Sequence, residues 1–334
     1  MKVIDKIGLI DYQQWESLLR FSSTRSFFQT KECYDLYADN PEFMKPFCLA
    51  VEDLGKLKGV IIGYIQADGG AVKRFLSRRA IINSGPLLAD DISGEALFLL
   101  LTECRKRLQG KAIYVEFRNF EDYSQYKEVF AQCGYQYAPH LNFHIETPSE
   151  DVVNQNLGKS RKRDIRTSFR AGAEIVEQPT LKEVREFYAI LSDLYRNKVK
   201  TPLYPLSFFE HLYMQDYARF LLVRLKGNIV GGTVCVCLPD YAVYEWFACG
   251  EDGKFKNIYP STVATFAGIR YAAKNGYHHF DMMGAGKPNE SYGVRDFKAK
   301  FGGHLVEYGR FQYILSPVLY LLGKIGVNII KKFG

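Results

Sequence analysis

Phe280-Asp281-Met282-Met283-Gly284, followed by Gly293-Val294-Arg295-Asp296-Phe297-Lys298-Ala299-Lys300-Phe301-Gly302-Gly303, holds the order of elements on which the fold assignment rests. The first piece is strand-like and ends in a carboxylate and a glycine. The second reads as a short helix that carries Phe297 and Lys298 side by side. Two glycines stop it, and a last strand is expected over 304–314.

Working back from this stretch, the spacing predicts a basic helix over 158–171 stopped by Gly172, a strand at 174–177, and helices at 181–198 and 205–214. Strands follow at 220–226, 229–238 and 242–249, the first two joined by the turn Lys226-Gly227-Asn228, then a helix over 261–275 and a strand at 278–282. The first half runs through the same order. Helices are expected near Asp11 and at 32–37, strands at 47–52, 57–66 and in the arginine-rich stretch to Asn83, and a break at Gly85-Pro86. A helix over 94–108, a strand at 112–117, a helix at 123–132 and a final strand at 135–146 complete it. Each half thus offers helices, a meander, then helix, strand, helix, strand, as a repeat of pattern with little residue identity. The polar, proline-bearing connection Thr147-Pro148-Ser149-Glu150-Asp151 is the expected boundary, giving domains 1–148 and 149–334.

The bulk properties agree with that division. A chain of 334 residues suits two ordinary domains, and 47% apolar with 24% charged residues is a globular composition. The net charge of +7 favours polyanionic partners without requiring one. The seven cysteines form no CxxC; Cys235 and Cys237, two apart in a strand, share a face and read as buried apolar residues rather than metal ligands. His278-His279 with Asp281 does not make a metal site, because adjacent strand residues point to opposite faces; no metal is expected. The amino terminus has no apolar stretch of signal-peptide length and no run approaches the roughly 20 residues of a membrane span, so a cytoplasmic location is expected. The segment from Ser316-Pro317 to Lys331-Lys332 is amphipathic and basic-ended. Packing on the second domain is the default for it, and peripheral contact with the inner membrane surface is the alternative.

Several residues carry chemistry. Lys159, Arg163, Arg166 and Arg170 are spaced 4, 3 and 4 apart and share one helical face, a stripe suited to phosphate or to water alone. Arg161 and Lys162 flank it. Glu245 lies in the otherwise apolar strand Val243-Tyr244-Glu245-Trp246-Phe247, where a carboxylate needs a reason: general base or structural acceptor. The same pair of readings applies to Asp281 at its strand end. At Tyr259-Pro260-Ser261, Ser261 or its neighbour is expected to cap the next helix, whose amino end could hold a phosphate or carboxylate.

This order of elements resembles the Fem family, the non-ribosomal aminoacyl transferases that extend peptidoglycan stem peptides. The resemblance runs over nearly the whole chain and is strongest over 164–311. It implies mixed α/β sheets in two tandem GNAT-like acyltransferase domains. It implies a catalytic set of Lys298, Phe297, Asp281 and Glu245, with Lys298 steadying the oxyanion of acyl transfer. A substrate-binding set of Arg166, Arg170, Arg163, Tyr259, Arg295 and Gly284 goes with it, Arg166 and Arg170 on phosphate. The co-substrate and partner implied is aminoacyl-tRNA, with no bound cofactor, and the acceptor is an amine of a nucleotide- or lipid-linked cell-envelope precursor. The chain departs from the family in one place: 34–37, on the helix after Gln29, has no lysine for a nucleotide diphosphate. Two other readings stand beside it. One is an N-acyltransferase using acyl-CoA or acyl-carrier protein on an envelope polysaccharide sugar, although Gly253-Lys254-Phe255-Lys256-Asn257-Ile258-Tyr259-Pro260 lacks the glycine pair of a CoA loop. The other is a non-catalytic RNA-binding protein.

Overall fold

A computed structural model of the chain describes residues 1–67 and 71–324. The last part of the C-terminal amphipathic segment, 325–334, lies outside the described residues.

The first unit opens with β1 (Lys2–Ile4), α1 (Tyr12–Phe21), α2 (Lys31–Ala38), β2 (Lys45–Asp53) and β3 (Lys56–Gln66). It continues through α3 (Ala71–Ser77), β4 (Arg79–Asn83), β5 (Leu87–Leu88), α4 (Gly94–Leu108), β6 (Tyr114–Arg118), α5 (Lys127–Gln132) and β7 (Gln136–Ala138). The chain then forms β8 (Leu141–Glu146), α6 (Glu150–Asn156), α7 (Lys159–Arg170), β9 (Ala173–Val176), α8 (Leu181–Leu194) and α9 (Leu206–Tyr213). After these come β10 (Ala218–Leu225), β11 (Asn228–Leu238), β12 (Ala242–Gly250), α10 (Pro260–Lys274), β13 (His279–Gly284), α11 (Gly293–Ala299), β14 (His304–Glu307) and β15 (Arg310–Ile314).

Two mixed sheets result. The first has the order β1-β2-β3-β4-β6-β15-β7, with β5 on β3; the second has the order β14-β8-β13-β12-β11-β10-β9. Each is an antiparallel meander joined to one parallel pair, β4 with β6 and β12 with β13. Local chemistry explains the elements. Ser93 Oγ accepts from Ala96 N at 3.1 Å to start α4, which then buries Ala96, Leu97, Leu100, Leu101, Cys104 and Leu108 at helical spacing against the sheet. Thr180 and Glu183 form a reciprocal capping box at α8. In the second unit α10 is the central helix, with Phe266 and Ile269 packed among Cys235, Cys237, Val243 and Phe280. Gly268 is required there, because a Cβ would stand 2.7 Å from the Phe280 ring. All seven cysteines are buried free thiols.

Three expectations are corrected. The single strand expected over 135–146 is two, β7 and β8, in different sheets, separated at Pro139, which has no N–H to give a ladder. The strand expected over 304–314 is also two, β14 and β15, separated at Gly309 with φ +66. The compact units are consequently Met1–Pro139 with the chain from Tyr308 onward, and His140–Glu307, not 1–148 and 149–334. The reason is register: β8 pairs with β13, Phe280 opposite Ile145, while β15 pairs with β6, Phe311 opposite Phe117. A helix that was not expected, α6, fills the polar connection, started by Ser149 Oγ accepting from Val152 N.

Candidate active site

In the second unit β12 and β13 pair only where Ala242, Val243 and Tyr244 meet His279, Phe280 and Asp281. β12 runs on to Gly250, so the two strands part beyond Tyr244. Both are irregular at the parting. The β11–β12 register shifts between Val234 and Cys235, leaving Trp246 unopposed beside Glu245. The β13–β8 register shifts between Asp281 and Gly284. Such bulges re-aim side chains and carbonyls where a strand ends.

At the second bulge Met283 takes φ +58, a left-handed conformation that a non-glycine residue adopts at a cost. Asp281 Oδ1 holds it by accepting from Met283 N at 2.5 Å. The carbonyls of three consecutive residues then converge on one cation. Lys298 Nζ donates to the oxygens of Met282, of Gly284 at 2.8 Å and of Met283 at 3.4 Å. Lys298 is buried, 8% exposed, and not the solvated residue that a lysine on a short helix would ordinarily be. An oxyanion reaching this ammonium must replace one of the three carbonyls, and the 3.4 Å bond to Met283 is the weakest.

Glu245 is also buried, and Thr233 Oγ1 lies 3.4 Å from its Oε1. Burial pushes its carboxyl above the ordinary range, while Lys298 opposes that shift. Burial pushes the Lys298 ammonium down, and the Glu245 and Asp281 carboxylates oppose it. Burial thus drives both groups toward their neutral forms while their mutual attraction opposes the shift, a balance suited to a group that takes up or gives a proton.

Two residues that sequence reasoning missed support the set. Arg161, expected to flank the basic stripe, is buried. Its guanidinium lies 4.3 Å from the Phe297 ring centre and 5.0 Å from that of Phe301, and donates to Asp164, to Thr262 Oγ1 at 3.2 Å and to the Phe297 carbonyl at 3.4 Å. It ties α7 to α10 and α11. His144, on β8, places Nε2 3.3 Å from Asp281 Oδ2 and stacks on His279 with ring centres 5.0 Å apart. Among the described residues no group of His, Cys, Asp and Glu could hold a metal ion.

The remaining sequence-named residues are distributed as follows. Phe297 is half-buried under Arg161 and 5.2 Å from Phe301. Arg295 is engaged by the 285–290 loop, donating to the carbonyls of Ala285 at 2.9 Å, Pro288, Lys287 and Glu290. Arg166 and Arg170 are exposed on α7 and, among the described residues, have no ion pair, whereas Arg163 pairs with Asp164 at 3.0 Å. Tyr259, not Ser261, is the N-cap of α10, and Pro260 is its first residue. Ser261 N donates to Asp252 Oδ1 at 3.2 Å, so a carboxylate of this chain already occupies the helix end that was expected to take a substrate anion. In the first unit α2 begins at Lys31, earlier than expected, and Lys31 Nζ pairs with Asp35 at 2.5 Å.

Residues 225–325 match the model of the FemAB family, a span that contains Glu245, Asp281 and Lys298. Among solved structures the chain is similar to FemX, at 13% identity and TM-score 0.73 over 96% of this chain and 99% of that one. It is similar to a tandem GNAT protein from the clavulanic acid biosynthesis pathway, at 11% identity and TM-score 0.59 over 95% and 99%. It is also similar to L-PGS from Bacillus licheniformis, at 13% identity and TM-score 0.57 over 94% and 96%. No curated protein matches the sequence. The fold is a tandem GNAT-like one of two mixed sheets. The expected resemblance to the Fem family is borne out by the family match over 225–325, and the likeness to FemX over nearly the whole chain is one of fold.

Proposed function

We propose that this protein transfers an aminoacyl group from aminoacyl-tRNA to an amine of a peptidoglycan or other cell-envelope precursor. The observation that carries the reading is the buried Lys298 ammonium held by the carbonyls of the β13 bulge, with the buried Glu245 of β12 acting on it electrostatically, inside the segment that matches the FemAB family. The amine nitrogen bonds to the ester carbonyl carbon as its proton passes to a base, for which Glu245 is this chain's candidate, with the substrate itself as the alternative. The carbonyl oxygen takes up the negative charge and Lys298 stabilises it in place of the Met283 carbonyl. The bond to the tRNA ribose then breaks, and the departing oxygen takes a proton. Arg166 and Arg170, exposed and free of ion pairs among the described residues, suit a phosphate of either substrate. The reading places the protein in the cytoplasm, where charged tRNA is found. Among the described residues no helix is long and apolar enough to cross a membrane.

Incubating the protein with an amine acceptor and either charged tRNA or acyl-CoA tests the reading. Consumption of charged tRNA alone is expected. Consumption of acyl-CoA instead would favour transfer to a polysaccharide sugar, which Asp252 at the α10 amino end opposes by repelling a pyrophosphate there. RNA binding without turnover of either donor would reduce the protein to a binding module.

A further inference from the structure

The first unit carries an apolar surface that the described residues leave exposed. Residues 317–324 are helical and follow β15. Val318, Leu321 and Leu322 lie at i, i+3 and i+4 and are 70%, 60% and 51% exposed, so the outward face of this helix is its apolar one. Beside it stands α3, whose Phe75 and Leu76 are 52% and 37% exposed. The helices touch: a Cβ at Gly323 would be 3.6 Å from the Leu76 carbonyl oxygen. Scattered exposed leucines are ordinary, but five large apolar side chains on two adjoining helices are a patch.

The charges around the patch say what covers it. Beside α3 opens a groove of about 750 Å³ lined by Lys45, Arg74, Arg78 and Lys111 against one carboxylate, Glu42. Lys324 stands at the other helix, its Nζ 4.6 Å from the Tyr320 ring centre, exposed to solvent. Apolar side chains outward with cations at the margin is the arrangement of an element lying in the head-group layer of an anionic membrane, where neither signal suffices alone.

We propose that α3 and the 317–324 helix form a peripheral docking surface for an anionic lipid bilayer. The full-length protein is sedimented with vesicles of phosphatidylcholine and with vesicles of phosphatidylcholine mixed with phosphatidylglycerol. Binding to the mixed vesicles, weakened by salt, and little binding to the neutral ones are expected. Leu321→Glu with Leu322→Glu, and separately Arg74→Gln with Lys324→Gln, should each lower the partition coefficient roughly tenfold or more. All four side chains are exposed, and circular dichroism checks that the variants fold. No binding by the wild type, or binding that both pairs leave unchanged, overturns the proposal. So does a concentration-dependent dimer that Leu321→Glu with Leu322→Glu dissolves while vesicle binding is absent, because the patch is then covered by a second copy.

Discussion

Replacing Lys298 with methionine keeps the unbranched stem and deletes the charge and its three donor bonds, to Met282, Met283 and Gly284. Glu245 and Asp281, both buried, are left without the cation that acts on them. Removing one partner of a buried ion set costs about 3–5 kcal/mol. Bonds to a charged donor contribute about 1.5–3 kcal/mol each, so the three carbonyls alone could account for that cost unless water reaches them. Against a total stability of about 5–15 kcal/mol the variant folds with much of its margin gone. Glu245→Gln made alone should cost less, since burial already favours the neutral carboxyl. The double variant should be less destabilised than the sum of the singles by about 1–3 kcal/mol, the range for residues sharing a network. Urea unfolding followed by tryptophan fluorescence measures this, since Trp246 adjoins Glu245. Additivity within about 0.5 kcal/mol would refute the coupling.

The same substitution separates two roles in catalysis. If Lys298 stabilises the oxyanion, its help is greater in the transition state, and the rate at saturating substrate should fall roughly 10²–10³-fold with a small change in apparent affinity. Lys298→Arg should restore only part, because the planar guanidinium cannot reproduce three converging bonds. A lysine that only shapes the β13 turn predicts an impaired fold and a normal rate in the molecules that remain folded. A normal saturated rate in Lys298→Met therefore removes the catalytic assignment.

Three further outcomes follow from the geometry. Glu245 binds its proton more tightly in the folded state than in the unfolded chain, so its contribution to stability is full below the ordinary carboxyl value of 4.5 and is lost as pH rises through its raised folded value. Glu245→Gln should flatten that part of the stability–pH curve measured by urea midpoints, and identical curves would contradict the shift. Arg166→Ala with Arg170→Ala should leave folding intact, as both side chains are exposed, and raise the dissociation constant of a phosphate-bearing substrate by a factor corresponding to about 1.5–3 kcal/mol per lost contact; unchanged affinity by calorimetry would return them to plain solvated residues. Arg161→Met should cost about 2–3 kcal/mol, from the aromatic contacts and the bonds to Thr262 and Phe297, and lower kcat more than it raises KM by loosening α11; equal loss in both parameters would point to substrate contact instead.

What was legible in the sequence was local. The helix expected over 94–108 is found at Gly94–Leu108, because a serine cap and a 3.6-residue apolar period act within the segment itself. The Lys226-Gly227-Asn228 turn is found with Lys226 at φ +50 and Gly227 at φ +84. The sheet assignments of β8 and β15 were not legible, since a strand has the same alternation whichever sheet receives it. The burial of Lys298 was hidden for a similar reason: what compensates its desolvation is a row of carbonyls turned inward by a bulge, and carbonyls leave no trace in side-chain pattern. Arg161 did leave one. With Asp164, Ile165 and Ser168 it occupies i, i+3, i+4 and i+7, the inward face of α7, and these four residues are buried there.

The two glycines after Lys298 follow from how α11 is held. β13 enters the segment and β14 leaves it, and both pair with β8, Gly284 opposite Asn142 and His304 opposite His144. The intervening helix is therefore anchored at both ends to a single strand. To close that distance the chain must pass hard against its neighbours. A Cβ at Gly302, where φ is +86, would run into the Asn156 carbonyl, and one at Gly303 into the His144 carbonyl. Only glycine fits at either place, and the closeness is what sets Lys298 under the bulge. The Phe-Lys pair, the double glycine and the Asp281 carboxylate within β13 act as one device: Asp281 fixes the bulge, the bulge presents three carbonyls, and the glycines bring the ammonium to them. A side chain forced in at Gly303 should displace Lys298 as surely as a substitution at Asp281 would, although neither residue touches its ammonium through a side-chain hydrogen bond.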